Sequence, residues 1–196
     1  MDIELRRELE QRLLEYVNDY GIPLTEDQVR LMVAHLDLVI EKNKVVNLTR
    51  ITEPAEGLVL HCLDSLMPLA FISSQIGSQD VVLDVGTGAG FPGIPLAIAT
   101  GAHAVLIDSV GKKVDAVNSF VHALGLKHAH AVHDRLEEYA RSHKKQFSVV
   151  TARALAPLPI LVEYAAPYLK DGGLFVITKG NPSDEELASG MLAAKI

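Results

Sequence analysis

The sequence predicts an α/β fold, a mostly parallel central sheet with helices on both faces and a helical cap in front of it. Three observations carry that prediction. Val81-Val82-Leu83 is an apolar run that meets Asp84, breaks at Gly86, Gly88 and Gly90 and resumes as an apolar stretch from Ile94 to Ala99. This is the pattern of a buried strand, a tight turn and a helix start. Short apolar runs then alternate with helical stretches to the end of the chain. Before residue 77, by contrast, there is helical periodicity with no strand between.

Each element has its own signal. Leu5, Leu9, Leu13 and Val17 recur at four-residue spacing over 2–18, with charges between them, which gives an amphipathic helix. Tyr20-Gly21-Ile22-Pro23 ends it, and Thr25 with Gln28 forms a capping box for a second helix. Its stripe of Val29, Met32, Val33, Leu36, Val39 and Ile40 reads as core. The segment 41–50 mixes turn formers with Lys42, Lys44 and Arg50. Pro54 opens a third helical run and places His61 and Asp64 on one face. The cap therefore spans 1–76 and the sheet domain 77–196, packed as one unit.

Past the glycine turn, Ala104–Ile107 is a second buried strand ending at Asp108, and a helix over 111–125 opens with Lys112-Lys113. Cations at a helix N-terminus oppose its dipole, so the pair fits an anion contact as well as it fits a solvated surface. Ala129–Val132 is a short third strand that delivers Asp134, Arg135, Leu136 and Glu137 to the same rim. Phe147–Val150 is the fourth, with Arg153 at its carboxyl end, where open parallel sheets bind ligands. A helix over 157–169, a turn at Asp171-Gly172-Gly173, a fifth strand Leu174–Ile177 ending at Lys179, and a helix over 183–196 complete the chain.

Composition narrows the classes. An apolar content of 48% in 196 residues supports a full core. Cys62 is the only cysteine, which excludes a disulfide framework and a four-cysteine zinc site. His128, His130 and His133 lack metal-ligand spacing, so no metal is expected. The charged stretch 1–10 is unlike a signal peptide, and no run of about 18 apolar residues is expected to span a membrane. The expected location is cytoplasmic. A net charge of −7 does not advertise nucleic-acid binding, yet Lys44, Arg50, Lys112, Lys113, Arg153 and Lys179 all fall at loops or strand ends on the ligand rim. That is a local basic face on an acidic protein.

The turn chemistry points to a cofactor. A dinucleotide fingerprint, G-x-G-x-x-G, would need glycine where Phe91 stands; the glycines follow G-x-G-x-G instead. Asp84, two residues before Gly86, would repel a pyrophosphate. S-adenosylmethionine carries no phosphate, has an ammonium and a sulfonium, and can rest its carboxylate on the helix N–H groups. Asp84, Gly86, Thr87, Gly88 and Gly90 are thus cofactor candidates, with S-adenosylmethionine favoured over NAD. Asp108, eighteen residues past Gly90, falls where a ribose-binding acid belongs, or serves as a helix cap. A carboxylate such as Glu137 would accept from an adenine amino group, and Arg153 would hold a carboxylate or phosphate with a bidentate fork.

These segments resemble the bacterial methyltransferases that modify the guanine N-7 atom of small-subunit (16S) ribosomal RNA, the family also called glucose-inhibited division protein B. The matching residues are Asn47-Leu48-Thr49, His61 with Asp64-Ser65-Leu66, Asp84 through Pro95, Asp108-Ser109 with Lys112-Lys113, Arg135 through Glu138, Arg153-Ala154 and Lys179-Gly180. The resemblance implies a Rossmann-like class I S-adenosylmethionine-dependent methyltransferase, a monomer acting on 16S rRNA of the small ribosomal subunit. It also implies that Gly86, Phe91, Leu136, Glu137 and Arg153 line the cofactor pocket. On this reading Arg153, Lys179, His61 and Asn47 position cofactor or base, with no general base, and Lys44, Arg50, Lys112 and Lys113 touch phosphates. The family's sheet has two further strands where this chain stops, so a five-stranded sheet with an exposed fifth strand is expected. The rival readings are an NAD-dependent oxidoreductase and a non-catalytic nucleotide- or RNA-binding protein.

Overall fold

A computed structural model describes residues 1–153 and 156–194. Helices α1 (Ile3–Asp19) and α2 (Glu26–Asn43) begin at side-chain caps. Asp2 accepts the Leu5 N–H, and Thr25 forms the expected reciprocal box with Gln28. Gln28 does a second job: its Nε2 donates to the carbonyls of Ile98 and Ala99, 2.9 and 3.0 Å away.

The third run, α3 (Pro54–Gln75), spans 22 residues. By length and composition it meets the requirement for a membrane span, contrary to the sequence expectation. It is no uniform helix. Leu58–Leu63 is a π-helical segment, and the last turn, Ser73–Gln75, is 3-10. Leu58, Cys62, Leu66 and Leu69 are buried in the same core as α1, α2 and the sheet. That core accounts for part of its apolar character, while Val59, Leu60 and Phe71 stay exposed.

Five strands, β1 (Val81–Val85), β2 (His103–Asp108), β3 (Ala129–His133), β4 (Phe147–Arg153) and β5 (Leu169–Thr178), form one parallel sheet in the order β3-β2-β1-β4-β5. Helices α4 (Gly93–Thr100) and α5 (Gly111–Ala123), with the cap, cover the face carrying Val82, Leu106 and Val149. The short α6 (Leu136–Tyr139) and α7 (Leu158–Ala165), with the 3-10 turn Ala166–Tyr168, cover the face carrying Leu83, Ile107 and Val150. The reversal of direction at β1 opens a crevice at the strands' carboxyl ends.

Two expectations need correction. Asp171-Gly172-Gly173 is not a turn before the fifth strand but an irregularity inside it. Phe147 pairs with Leu169 and Val149 with Leu174, so the extra residues bulge out, with Gly172 at φ +77°. The helix expected over 157–169 ends at Ala165, where the 3-10 turn containing Pro167 tightens it. The last helix, α8 (Asp184–Ala193), is capped by Ser183 as expected; its anticipated final residues, 195 and 196, lie outside the described residues, as does Ala154.

Candidate active site

The glycine loop is built from below. Asp84, 1% exposed at the end of β1, accepts from the Thr87 hydroxyl at 2.6 Å and from the Gly93 N–H at 3.0 Å, both through Oδ2. Burial pushes its pKa up to about 6, against the lowering effect of the Thr87 hydrogen bond. Its Oδ1 is buried without a partner. The Gly86 and Thr87 N–H groups both donate to the Ile107 carbonyl of β2. Gly90 has φ +92°, and a Cβ there would meet Ile94 Cδ1 at 2.7 Å and His35 Nε2 at 3.1 Å, so only glycine fits. His35, fully buried on α2, reaches under the loop to the Ala89 carbonyl at 3.0 Å. Burial drives its pKa down to about 3, so the ring is neutral.

Above the loop lies a cavity of about 360 Å³ whose walls include Gly86, Asp108, Lys113, Asp134, Leu136 and Arg153. Its volume suits a small-molecule ligand. Asp108 bridges the two turns that frame it. Oδ2 accepts the Gly88 N–H at 3.0 Å and Oδ1 the Val110 N–H at 2.9 Å. It is not the helix cap; Val110 occupies that position without a side-chain bond. Each carboxylate oxygen keeps a further lone pair.

Arg153 closes the other side. One terminal nitrogen donates to the Leu60 carbonyl at 3.0 Å and lies 3.4 Å from Asp64 Oδ2; the other donates to His61 Nδ1 at 3.2 Å. Its guanidinium sits 5.7 Å from the centre of the Phe91 ring. Phe91 stacks on His61, 4.7 Å away, and on its other side meets His35 at 4.4 Å. Phe91 is 2% exposed, so it lies beneath the loop and is not among the residues that line the cavity. Glu137 faces a neighbouring cavity with Ala140, Tyr164 and Pro167, while Leu136 borders both. Cys62 is buried, which raises its thiol to about 12 and keeps it protonated.

The sequence-selected cations divide. Lys113 reaches the cavity wall. Lys44 pairs with Glu41 at 2.5 Å. Lys179 pairs with Glu186 of α8 and donates to the Ala156 carbonyl at 3.3 Å, which draws it toward the last helix. Among the described residues Arg50 and Lys112 have no ion-pair partner, and both are exposed, as is Asn47. Sequence reasoning passes over His35 and Asn43, and names Thr49 only within the family match, without a role. Asn43 ties the 43–50 loop by accepting from the Leu48 and Thr49 N–H groups, and Thr49 Oγ1 lies 2.9 Å from His61 Nε2. Asn43 ends a helix ahead of a basic loop, a signal available in the sequence. His35 sits in an apolar stripe with nothing to mark it.

The fold and the glycine-loop site define a Rossmann-like class I S-adenosylmethionine-dependent methyltransferase. Among solved structures, a putative S-adenosyl-L-methionine-dependent methyltransferase from Methanococcus maripaludis superposes with a TM-score of 0.56 at 13% identity, over 82% of this chain and 69% of that one. The sequence profile of the GidB family, rRNA small subunit methyltransferase G, matches residues 28–194. Ribosomal RNA small subunit methyltransferase G of Desulfitobacterium hafniense is 40% identical over 90% of this chain and 73% of its own length. The protein of the same name from Pelotomaculum thermopropionicum is 39% identical, over 96% and 79%. This chain belongs to that family.

Proposed function

We propose that this protein transfers the methyl group of S-adenosylmethionine to the N7 atom of a guanine in 16S rRNA, as a cytoplasmic monomer. Family membership over residues 28–194, with the glycine loop opening on the Asp108 cavity, is the observation that supports this reading. S-adenosylmethionine supplies a sulfonium-activated methyl. The residues present fit it. The free lone pairs of Asp108 suit a ribose diol, Gly86 offers bare main chain, and the buried, unpartnered Oδ1 of Asp84 favours a positive group nearby. An NAD pyrophosphate would sit over a loop with a buried acid beneath it and Phe91 where the third fingerprint glycine would stand.

Guanine N7 has a lone pair in the ring plane and no proton to remove. The enzyme needs only to hold that lone pair in line with the methyl, so proximity and orientation carry the rate. Arg153, held by Leu60, His61 and Asp64, orients cofactor or base. Asn47 acts on the base side, His61 acts through its hold on Arg153, and Lys179 acts if it leaves Glu186. Arg50, Lys112 and Lys113, and Lys44 once it leaves Glu41, neutralise phosphates. The test is calorimetric titration with S-adenosylmethionine and NAD, followed by methylation of small-subunit rRNA. The expected result is binding of the first ligand only and N7-methylguanine, detected by its aniline-induced strand cleavage. Methyl on an exocyclic amine would refute the N7 assignment, and absence of S-adenosylmethionine binding would refute the reading as a whole.

A further inference from the structure

A chain of side chains runs from the cofactor cavity to the 43–50 loop. A guanidinium has only donors, so His61 Nδ1, 3.2 Å from Arg153, must accept. The neutral ring then carries its proton on Nε2, which points at Thr49 Oγ1 at 2.9 Å. Thr49 is itself anchored. Its Oγ1 accepts the Ile51 N–H at 3.1 Å, and its backbone N–H and carbonyl both bond to the Asn43 side chain. Titratable groups near His61 include Asp64, which contacts the same Arg153, His35, which packs on the same Phe91 ring, and the buried Cys62 beside it on the helix. Burial first, then the Arg153 charge, against the opposing Leu60 carbonyl, hold His61 down at about 4, so the ring is neutral and the choice of tautomer falls to its two contacts.

We propose that Thr49 is a positioning residue: by taking the His61 Nε2 proton it keeps Nδ1 bare toward Arg153, and so ties the loop bearing Asn47 and Arg50 to the wall of the cofactor cavity. For the ligand it rests on the function proposed above; for the tautomer it does not. A methyl in place of the hydroxyl removes the acceptor and frees the ring to adopt the other tautomer, which turns an N–H against the guanidinium.

The test uses nitrogen NMR of the ligand-free chain labelled at histidine, with the His61 signal assigned from His61→Asn, and calorimetry with S-adenosylmethionine. The wild-type ring should show Nε2–H with bare Nδ1. Thr49→Val should give mixed tautomers and about fivefold weaker cofactor binding, the equivalent of one neutral hydrogen bond. Thr49→Ser should restore both. A proton on Nδ1 in the wild type overturns the proposal without recourse to any variant. So does Thr49→Val with unchanged tautomer and affinity. A wild-type chain with the expected tautomer that binds no S-adenosylmethionine would uphold the Thr49 contact and sink the cofactor reading instead.

Discussion

The two halves of the sheet are held in different ways. The β1–β2 half is fixed by buried polar contacts that cross between elements. Asp84 spans to Thr87 and Gly93, Asp108 to Gly88 and Val110, His35 to Ala89 and Gln28 to the end of α4. The β5 side has an edge strand whose residues 173–178 are only half buried, a bulge at its entry, and α8, whose buried position is Gly190. Its cross-element ties are ion pairs nearer the surface: Glu186 meets Lys179 and the Leu158 N–H, Lys145 meets Asp171, and Lys170 meets Asp80. The glycine loop is thus over-determined before any ligand arrives, while the far edge adds only partly exposed ion pairs to its ladder with β4.

The largest expected effect tests the buried half. His35 has its pKa lowered to about 3 from 6.5. Its contribution is therefore complete above pH 6.5 and lost as pH falls toward 3, a loss of roughly 5 kcal/mol over that range. His61, lowered to about 4, acts in the same direction. Asp84, raised to about 6, opposes them, since its share is present below about pH 4 and lost as pH rises through 6. Denaturant unfolding at pH 4 and pH 7 should show a gap that narrows sharply in His35→Gln. An unchanged gap would remove His35 from the account.

Next in size is a pair of glycines. A Cβ on Gly93 would lie 2.2 Å from Leu106 Cδ2 and 2.7 Å from Asp84 Oδ2, whereas one on Gly180 meets nothing within 4 Å. Gly93→Ala should cost about 1–3 kcal/mol by overpacking, and Gly180→Ala less than about 0.5 kcal/mol. Equal urea midpoints for the two would break the comparison. Smallest is Lys179→Met. The paired side chains are 25% and 22% exposed, so global stability should move by under about 1 kcal/mol. Hydrogen exchange should quicken across 184–193 and stay unchanged in β1 and α4.

Legibility in the sequence divides along the same line. The glycine loop, Asp108 and the strand ends announce themselves because a tight turn and a strand terminus demand particular residue types at fixed spacing. The resemblance puts Phe91 in the pocket; only its burial, not its type, tells that it lies under the loop. Lys179 reads as a rim cation because its partner, Glu186, stands on another element. The bulge at Asp171–Gly173 reads as a turn because glycines mark both. His35 and Thr49 act through contacts 54 and 12 residues away in the chain, and no local pattern encodes such distances.

The π-helical segment Leu58–Leu63 has a further consequence. An α-helix advances about 100° per residue, and a π-turn absorbs one extra residue without lengthening the path between its ends. Leu58 and Cys62 meet the core on one side of it while His61 and Asp64 both meet Arg153. Removing a single residue from this segment would leave the neighbouring loops the same length but turn the helical turn before it by about 100° relative to the turns after it. Among related chains, a one-residue gap here would therefore mark a change of angular phase, with a different side chain presented to Arg153.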